Sequence, residues 1–200
     1  MPPLLIATSN PGKLKEIAAI LGDLSCELVM PRDMTLSLDV AETGHTYREN
    51  AHLKAQAYAN ASGLPTLADD SGLEVAPLNG LPGIRSARFA PFPHASDANR
   101  RAYLLENLSS HPRPWAARFV CVVCLALPDG TQHFAEGICP GEIIPQERGA
   151  NGFGYDPIFL LPAHACTMAE LPEEEKNRIS HRGRALEILR PIIQHTLENG

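Results

Sequence analysis

The sequence predicts a mixed α/β fold, formed by one domain over residues 1–200, with a long sheet and two lobes around a cleft. Three observations predict it. Apolar runs of strand length alternate with segments that repeat apolar residues at helical spacing. The run "RFVCVVCLAL" is apolar on both faces, which is typical of a central strand. No linker, internal repeat or low-complexity tract divides the chain.

The first part of the chain alternates strands and helices with recognisable caps. Breaker residues and capping residues set the expected boundaries. The expected order is a strand over residues 4–8, a loop with Pro11 and Gly12 as breakers, a helix that ends at Gly22, a strand near 26–30, a polar loop to about 45, a helix that Thr46 and Glu49 begin and Gly63 ends, and a strand over 64–68.

The second part of the chain begins with a proline-rich stretch that reads as an ordered loop. That loop covers 76–96, and a helix over 96–108, capped by Ser96, follows it. A hairpin of two strands around "PDG" and a glycine-rich loop running into a strand over 149–162 come next. A last helix begins at Ser180, and Pro191 should kink or break it.

Composition limits the function. The net charge of −6 argues against binding to duplex DNA or to an anionic membrane surface. No apolar stretch approaches the ~20 residues that span a bilayer, and the first ten residues read as a strand rather than a signal peptide. We therefore expect a cytoplasmic protein. The five cysteines show no disulfide framework, and Cys121 and Cys124 lie on a predicted strand, which favours core packing over a metal site.

The stretch "IATSNPGK" joins a predicted strand to a predicted helix. Amide groups at a helix N-terminus favour anions, so this turn can bind phosphate. Thr8, Ser9 and Asn10 offer donors, and Lys13 offers positive charge. A plain strand-to-helix turn with a solvated lysine remains an equally good interpretation.

Two adjacent acids, Asp69 and Asp70, follow the strand over 64–68. Carboxylates of this kind hold Mg²⁺, and one of them can act as a general base. A turn with both acids solvated is the alternative. Glu42 lies in a predicted loop and is a candidate second metal ligand, whereas Glu49 is expected to cap a helix.

Two further stretches offer contacts for a base and for phosphate. In "GFGYDPIF", Phe153 or Tyr155 could stack on a base, although turn and core aromatics would read the same. In "EEEKNRISHRGRAL", His181 and Arg182 lie at a helix start, where they could meet a phosphate or a base carbonyl, since basic residues there oppose the helix dipole unless an anion binds. Solvated surface arginines are the commoner explanation of such a pattern. Together, the phosphate loop, the carboxylates, the aromatic ring and the basic cluster indicate a nucleoside triphosphate site.

Four of these stretches also resemble, in order, the motifs of the inosine triphosphate pyrophosphatase family. They are "ATSNPGKLKEI", "LADDSGLEV", "GFGYDPIF" and "EEKNRISHRGRAL", and the resemblance covers residues 4 to 190. The frame over 42–51 and "PGIRSAR" at 82–88 are similar to the bacterial branch. The resemblance implies an elongated two-lobed fold, a long central mixed β-sheet flanked by helices, and an active cleft between the lobes. It also implies a homodimer.

The family resemblance further implies Mg²⁺-dependent hydrolysis of ITP, dITP and XTP to a nucleoside monophosphate and pyrophosphate. Asp70 would be metal ligand and proton acceptor, and Asp69 would face away and brace the loop. The substrate-binding residues that it implies are Thr8, Ser9, Asn10, Pro11, Gly12 and Lys13 for the triphosphate, Ser71 for the substrate, Phe153, Gly154, Tyr155 and Asp156 for the base, and Lys176, His181 and Arg182 for base and phosphate.

One position departs from the family pattern. Relatives often carry two acids before the "TG" of the second motif, whereas this chain has Ala41 and Glu42. Glu42 is therefore the candidate metal ligand that remains there. Two alternative functions stay open: a pyrophosphatase for modified pyrimidine nucleotides, and a nucleotide-binding sensor without catalysis.

Overall fold

The computed structural model describes residues 1–199 and confirms the α/β fold. Over these residues, five α-helices accompany a seven-stranded sheet. The strands are β1 (Pro3–Ile6), β2 (Glu27–Val29), β3 (Thr66–Val75), β4 (Trp115–Ala126), β5 (Gln132–Ile143), β6 (Phe159–Leu161) and β7 (Cys166–Thr167). The helices are α1 (Pro11–Leu21), α2 (Tyr47–Ser62), α3 (Asp97–Leu108), α4 (Glu173–Ile179) and α5 (His181–Asn199).

The sheet is mixed and open, with the strand order β2-β1-β3-β4-β5-β6-β7. Strand β1 pairs in parallel with β2 and β3, whereas β6 pairs antiparallel with β5 and β7. Strands β4 and β5 are neighbours joined by a five-residue turn, in which the Leu127 amide donates to the Thr131 carbonyl at 2.9 Å. The predicted hairpin is confirmed, and so is the central position of the apolar strand β4.

The chain forms two compact units, each with its own hydrophobic core. The first unit contains residues 1–70, 121–137 and those from 181 on, and the second contains residues 71–120 and 138–180. Leu4, Ile17, Leu67, Val123 and Leu186 belong to the core of the first unit. Leu73, Leu104, Phe119, Phe159 and Met168 belong to the core of the second. The predicted cleft and the single-domain organisation stay predictions.

Three expected boundaries are wrong. Pro11 and Gly12 do not break the chain but form the first turn of α1, because Asn10 caps the helix and proline fits its first position. Strand β3 does not end before the acids but runs through them to Val75. Helix α5 continues through Pro191, so the expected break is wrong and a kink there stays a prediction; Leu189 and Ile193 on either side are fully buried.

The predicted caps at Thr46, Gly63 and Ser96 are confirmed, whereas the Glu49 carboxylate accepts from the His45 amide rather than from that of Thr46. The Thr46 side chain accepts from the Glu49 amide, and Gly63 ends α2 with a φ of 69°. Ser96 and Asn99 form a capping box at the start of α3. Cys121 and Cys124 are fully buried in β4, as the core interpretation predicts. Of the described helices, none is long and apolar enough to cross a lipid bilayer.

Candidate active site

The acid pair lies on β3, in the first unit. Because β3 is extended, consecutive side chains point to opposite faces of the sheet. Asp69 is 2% exposed and Asp70 is 6% exposed, so the strand buries two adjacent carboxylates. Each finds different partners, which is how the protein accommodates two adjacent acids.

Asp69 is surrounded by cations. Its Oδ2 atom lies 2.9 Å from the Lys13 ammonium and 3.1 Å from Nη2 of Arg182. Burial alone would raise the pKa of this carboxyl, but the positive charges of Lys13 and Arg182 outweigh it and hold the pKa well below its ordinary value. Asp69 is therefore an ionised partner of two cations. It lies within β3 rather than in a loop, so it joins the strand to Lys13 and Arg182 instead of bracing a loop.

Arg182, the second residue of α5, is 1% exposed and bridges two carboxylates. Its guanidinium donates to Asp69 and, through Nη1, to Glu16 of α1. Burial acts to lower its pKa, and the two carboxylates outweigh that effect and raise it. The ion pairs therefore join α5 to α1 and β3. A direct contact between Arg182 and the substrate stays a prediction.

Asp70 has a different environment. Its Oδ2 atom accepts from the Asn50 side-chain amide at 3.2 Å, and its Oδ1 atom lies 3.7 Å from the Lys54 ammonium. Burial raises the pKa of Asp70 above its ordinary value, despite the opposing charges of Lys54 and Lys13. A carboxylate with a raised pKa is a better proton acceptor than a solvated one near neutral pH.

Helix α2 supplies both partners of Asp70. Asn50 and Lys54 are four residues apart and therefore lie on one face of the helix. The Lys54 ammonium also lies 2.7 Å from Oε1 of Glu42. Burial would lower the pKa of Lys54, but Asp69, Asp70 and Glu42 outweigh it and raise the pKa. Lys54 therefore stays charged between two carboxylates.

Our sequence reasoning missed Asn50, Lys54 and Glu16. A signal existed for the first two. The predicted cap at Thr46 sets the phase of α2, and the buried alanines Ala51, Ala55 and Ala59 mark its inner face. Asn50 and Lys54 each directly precede one of these alanines. For Glu16 no signal was available, because its partner Arg182 is 166 residues away in sequence.

The carboxylate oxygens around Lys54 are ligands that suit a hard cation. Asp70 and Glu42 both offer carboxylate oxygens to the same ammonium group, and Mg²⁺ is typically bound by one or two carboxylates, with phosphate oxygens and water completing its shell. Within residues 1–199, no group of three or more histidine, cysteine, aspartate or glutamate side chains could hold a metal by itself. The residues therefore fit a magnesium ion shared with a phosphate ligand.

The predicted phosphate loop precedes α1. Asn10 accepts from the Gly12 and Lys13 amides through Oδ1, at 2.9 and 3.1 Å, and the Thr8 hydroxyl accepts from the Asn10 amide at 3.2 Å. These helix amides are thus taken by the cap. A phosphate would be met by the hydroxyls of Thr8 and Ser9 and by Lys13, or would have to replace the Asn10 side chain. A cavity of about 360 Å³ borders this loop.

The predicted base loop lies in the second unit. Phe153 is half-buried, and the Lys176 ammonium lies 5.0 Å from the centre of its ring. Oδ2 of Asp156 accepts from the Phe153 amide at 2.9 Å and from the Lys176 ammonium. A Cβ on Gly152 would lie 2.1 Å from that oxygen, so the loop needs a glycine there. The structure thus brings Phe153, Asp156 and Lys176 together, as the base pocket requires.

Tyr155 belongs to the core of the second unit. It is 4% exposed, and its hydroxyl donates to the Ser86 carbonyl at 2.9 Å. Burial raises the pKa of this hydroxyl. Of the two aromatic residues in the loop, Phe153 is therefore the ring that lies outside the core and can stack on a base.

Two predicted site residues remain. Ser71 follows Asp70 on β3, belongs to the second unit and is half-buried. His181 is the first residue of α5, in the first unit, and is buried. A Cβ on Gly137 of β5 would lie 2.0 Å from the His181 carbonyl oxygen, so a glycine is needed where α5 starts against the strand. Substrate contacts of Ser71 and His181 stay predictions.

The chain is similar to known proteins over nearly its whole length. The family model described as the Ham1 family matches residues 4–192. The dITP/XTP pyrophosphatase of Geobacter sulfurreducens is 47% identical over 94% of this chain and 94% of its own. The dITP/XTP pyrophosphatase of a Nostoc species is 47% identical over 98% of this chain and 96% of its own. A solved HAM1 protein from Coxiella burnetii is 42% identical, with a TM-score of 0.88 over 98% of this chain and all of its own. These findings confirm the resemblance that the four motifs carry.

Proposed function

Because this chain belongs to the Ham1 family, we propose that it hydrolyses non-standard purine nucleoside triphosphates, namely dITP, XTP and ITP. The products are the nucleoside monophosphate and pyrophosphate. Such an activity removes these nucleotides from the pool before they enter DNA or RNA. The relatives support the substrate class by name, and the structure supports the chemistry through the residues around β3.

The observation that carries the proposal is the environment of Asp70. A nucleotide-binding sensor has no need of a proton acceptor, whereas hydrolysis by water does. Asp70 is buried, its pKa is raised, and Asn50 holds one of its oxygens in a defined orientation. We assign Asp70 to accept the proton of the attacking water.

The cations of the first unit act on the phosphates. Lys13 and Lys54 each have 16% of their side chain exposed, so each can be approached from solvent. Positive charge that is already in place stabilises negative charge that develops on the phosphates during displacement. Lys13 is held by Asp69 and Lys54 by Glu42, so neither side chain has to be ordered when the substrate binds.

Asp70 and Glu42 would hold Mg²⁺. Bound Mg²⁺ supplies charge neutralisation on the phosphate oxygens and lowers the pKa of bound water.

The second unit supplies contacts for the base. Phe153 offers a stacking ring, and base–aromatic stacking tolerates any base. Lys176 is a donor that can meet the 6-oxo group of hypoxanthine or xanthine but not the 6-amino group of adenine. A site built for one hydrogen-bonding group rejects an analogue that leaves it unpaired. Asp156 holds Lys176 in place through an ion pair.

A homodimer and a cytoplasmic location are part of the proposal. The homodimer rests on the family resemblance, and the cytoplasmic location is the expectation from the sequence. Light scattering after size-exclusion chromatography measures the first directly, and a mass of one chain would contradict it.

The experiment that tests the function is pyrophosphate release from dITP, XTP, ITP, ATP, GTP, CTP and UTP, with Mg²⁺ and with EDTA. We expect fast release that requires Mg²⁺ and is confined to the first three nucleotides. Release from CTP or UTP instead would favour the pyrimidine alternative. Binding of dITP without release would favour the sensor.

A further inference from the structure

Helix α3 carries two charged side chains that the proposed function does not use. Asp97 and Arg101 are four residues apart, so they lie on one face of the helix. Oδ2 of Asp97 accepts from the Gly154 amide at 2.7 Å, and Nη1 of Arg101 donates to the Gly154 carbonyl at 2.8 Å. Both polar backbone groups of one loop glycine are therefore bound by one helix.

Gly154 lies inside the base loop, directly after Phe153. Its φ of 63° is a conformation that residues with a Cβ rarely adopt, and nothing lies within 4 Å of a Cβ built on it. The glycine is needed for its backbone conformation rather than for space. The two bonds from α3 fix the peptide groups on both sides of this turn, and so fix the direction in which Phe153 leaves the chain.

The α3 residues are themselves held rigidly. Nε and Nη2 of Arg101 form a two-pronged ion pair with the Glu147 carboxylate, at 2.8 and 2.9 Å. The Arg101 side chain is only 12% exposed. Oδ1 of Asp97 pairs with Arg100. Because each side chain has a second partner, the loop is positioned before any ligand binds.

The segment over 82–88 anchors the other side of the turn. The carbonyl oxygen of Ser86 accepts a hydrogen bond from the Tyr155 hydroxyl. The Ser86 hydroxyl accepts from the Leu73 amide and donates to the Gly83 carbonyl. This explains the "PGIRSAR" motif, for which the proposed mechanism has no chemical step. Gly154 and Tyr155 are thus fixed by two independent parts of the second unit.

We infer that Asp97 and Arg101 are positioning residues that set the selectivity of the site for the purine base. The inference rests on the proposed function and deepens it. The pair is bonded to the backbone of the base loop. It acts through Gly154, which holds the Phe153 ring where a base can stack on it, next to Asp156 and Lys176. A ring and a donor that are held in fixed positions favour a base of matching shape and hydrogen-bonding groups over other bases.

The test uses the full chain and the variants Asp97→Ala and Arg101→Ala. We expect the KM for dITP to rise about tenfold and the preference for dITP over dGTP to fall, with kcat changed less. Inorganic tripolyphosphate carries the charges of the substrate without a base. Its inhibition constant should stay within about twofold of that of the unmodified protein. A general loss of structure would move both quantities.

Two further variants serve as controls. Arg113→Ala removes another arginine of the second unit, one that pairs with Glu142 and is half exposed, and should leave KM and selectivity unchanged. Arg101→Lys keeps the charge without the two-pronged geometry and should give an intermediate KM. It also keeps the test valid if Arg101→Ala does not fold.

The possible outcomes separate the inference from the proposed function. No release from dITP or XTP by the unmodified protein would contradict both. Release by the unmodified protein, together with an unchanged KM and selectivity in folded Asp97→Ala and Arg101→Lys, would overturn the inference alone. A parallel rise of the tripolyphosphate inhibition constant would also overturn it.

Discussion

The acid pair of the first unit and the base loop of the second are positioned in different ways. Asp69 and Asp70 lie on a strand, so the sheet itself sets their directions, and their partners come from helices α1, α2 and α5. Phe153 lies in a loop without regular structure, where two left-handed glycines and hydrogen bonds to the backbone set its direction. The strand therefore positions the two carboxylates, whereas hydrogen bonds between side chains and backbone groups position the Phe153 ring.

The comparison shows what a substitution should do in each region. Removing Asp69 leaves the charges of Lys13 and Arg182 without this partner, so the free energy of unfolding should change strongly. Asp70 differs, because burial already disfavours its charge, so its removal should change activity rather than stability. Removing a contact in the base loop leaves no buried charge behind, so the binding of the base should change more than stability. The predictions below separate these two kinds of effect.

The largest effect is expected for Asp70→Asn. We expect kcat for dITP to fall about a thousandfold, since the proton acceptor is lost. The melting temperature should not fall, because burial already disfavours the charge of Asp70 and raises its pKa. Pyrophosphate release and thermal unfolding measure the two quantities. A kcat within about tenfold of the unmodified protein would contradict the role of Asp70.

The next effect is expected for Asp69→Asn, which probes the neighbouring residue of the same strand. The substitution removes the negative charge beside Lys13 and Arg182, so the free energy of unfolding should fall by about 3 kcal/mol. Activity should fall less than in Asp70→Asn. Urea denaturation measures the stability, with Glu142→Gln, from an exposed ion pair, as the control. A loss no larger than that of the control would show that the network around Asp69 adds little to stability.

A smaller effect is expected for Phe153→Leu in the base loop. Loss of the stacking ring should raise the KM for dITP about tenfold with little change in the melting temperature. Phe92→Leu is the matched control, because Phe92 is an exposed aromatic residue of the second unit outside the base loop. Equal KM values for the two variants would show that Phe153 does not stack on the base.

The smallest effect concerns pH. Asp69 stays ionised in the folded protein below its ordinary pKa of 3.8, whereas the unfolded chain takes up a proton there. Its contribution to the free energy of unfolding is therefore fully present above that pKa. As the pH is lowered below it, the contribution decreases, by about 1 kcal/mol at about pH 3. The raised pKa of Asp70 has the opposite sign: its contribution is present in acid and is lost as pH rises through the folded pKa.

Urea denaturation at about pH 6 and about pH 3 tests both signs. Asp69→Asn should lose less stability in acid than the unmodified protein does, and Asp70→Asn should lose more. The same acid loss in all three proteins would show that neither carboxyl has a shifted pKa.

Much of the fold could be predicted from local signals. Thr46, Gly63 and Ser96 were placed correctly as helix caps, because a cap depends on a few neighbouring residues. The apolar strand β4 was placed at the centre of the sheet because both of its faces are apolar. The expected start of α1 is wrong, because proline and glycine can interrupt a chain or, after a cap such as Asn10, form the first turn of a helix.

The candidate site was predicted less completely. The four motifs identified the family and most of the residues that offer chemistry, and the comparisons confirm the family. The same motifs assign Arg182 to the ligand, which stays a prediction, but they give no sign that its guanidinium bridges Asp69 and Glu16. A basic residue near a helix start has the same sequence pattern whether it faces a ligand or a buried carboxylate.

The sequence by itself therefore determined the caps, the apolar strands and the residues available for catalysis, since each depends on residue type and short spacing. Only the tertiary structure decided which charge meets which partner. Asp69 and Arg182 are 113 residues apart, and Asp97 and Gly154 are 57 apart. Adjacent acids look alike in sequence, but packing gives Asp69 two cations and a lowered pKa, and gives Asp70 an amide, a lysine and a raised one.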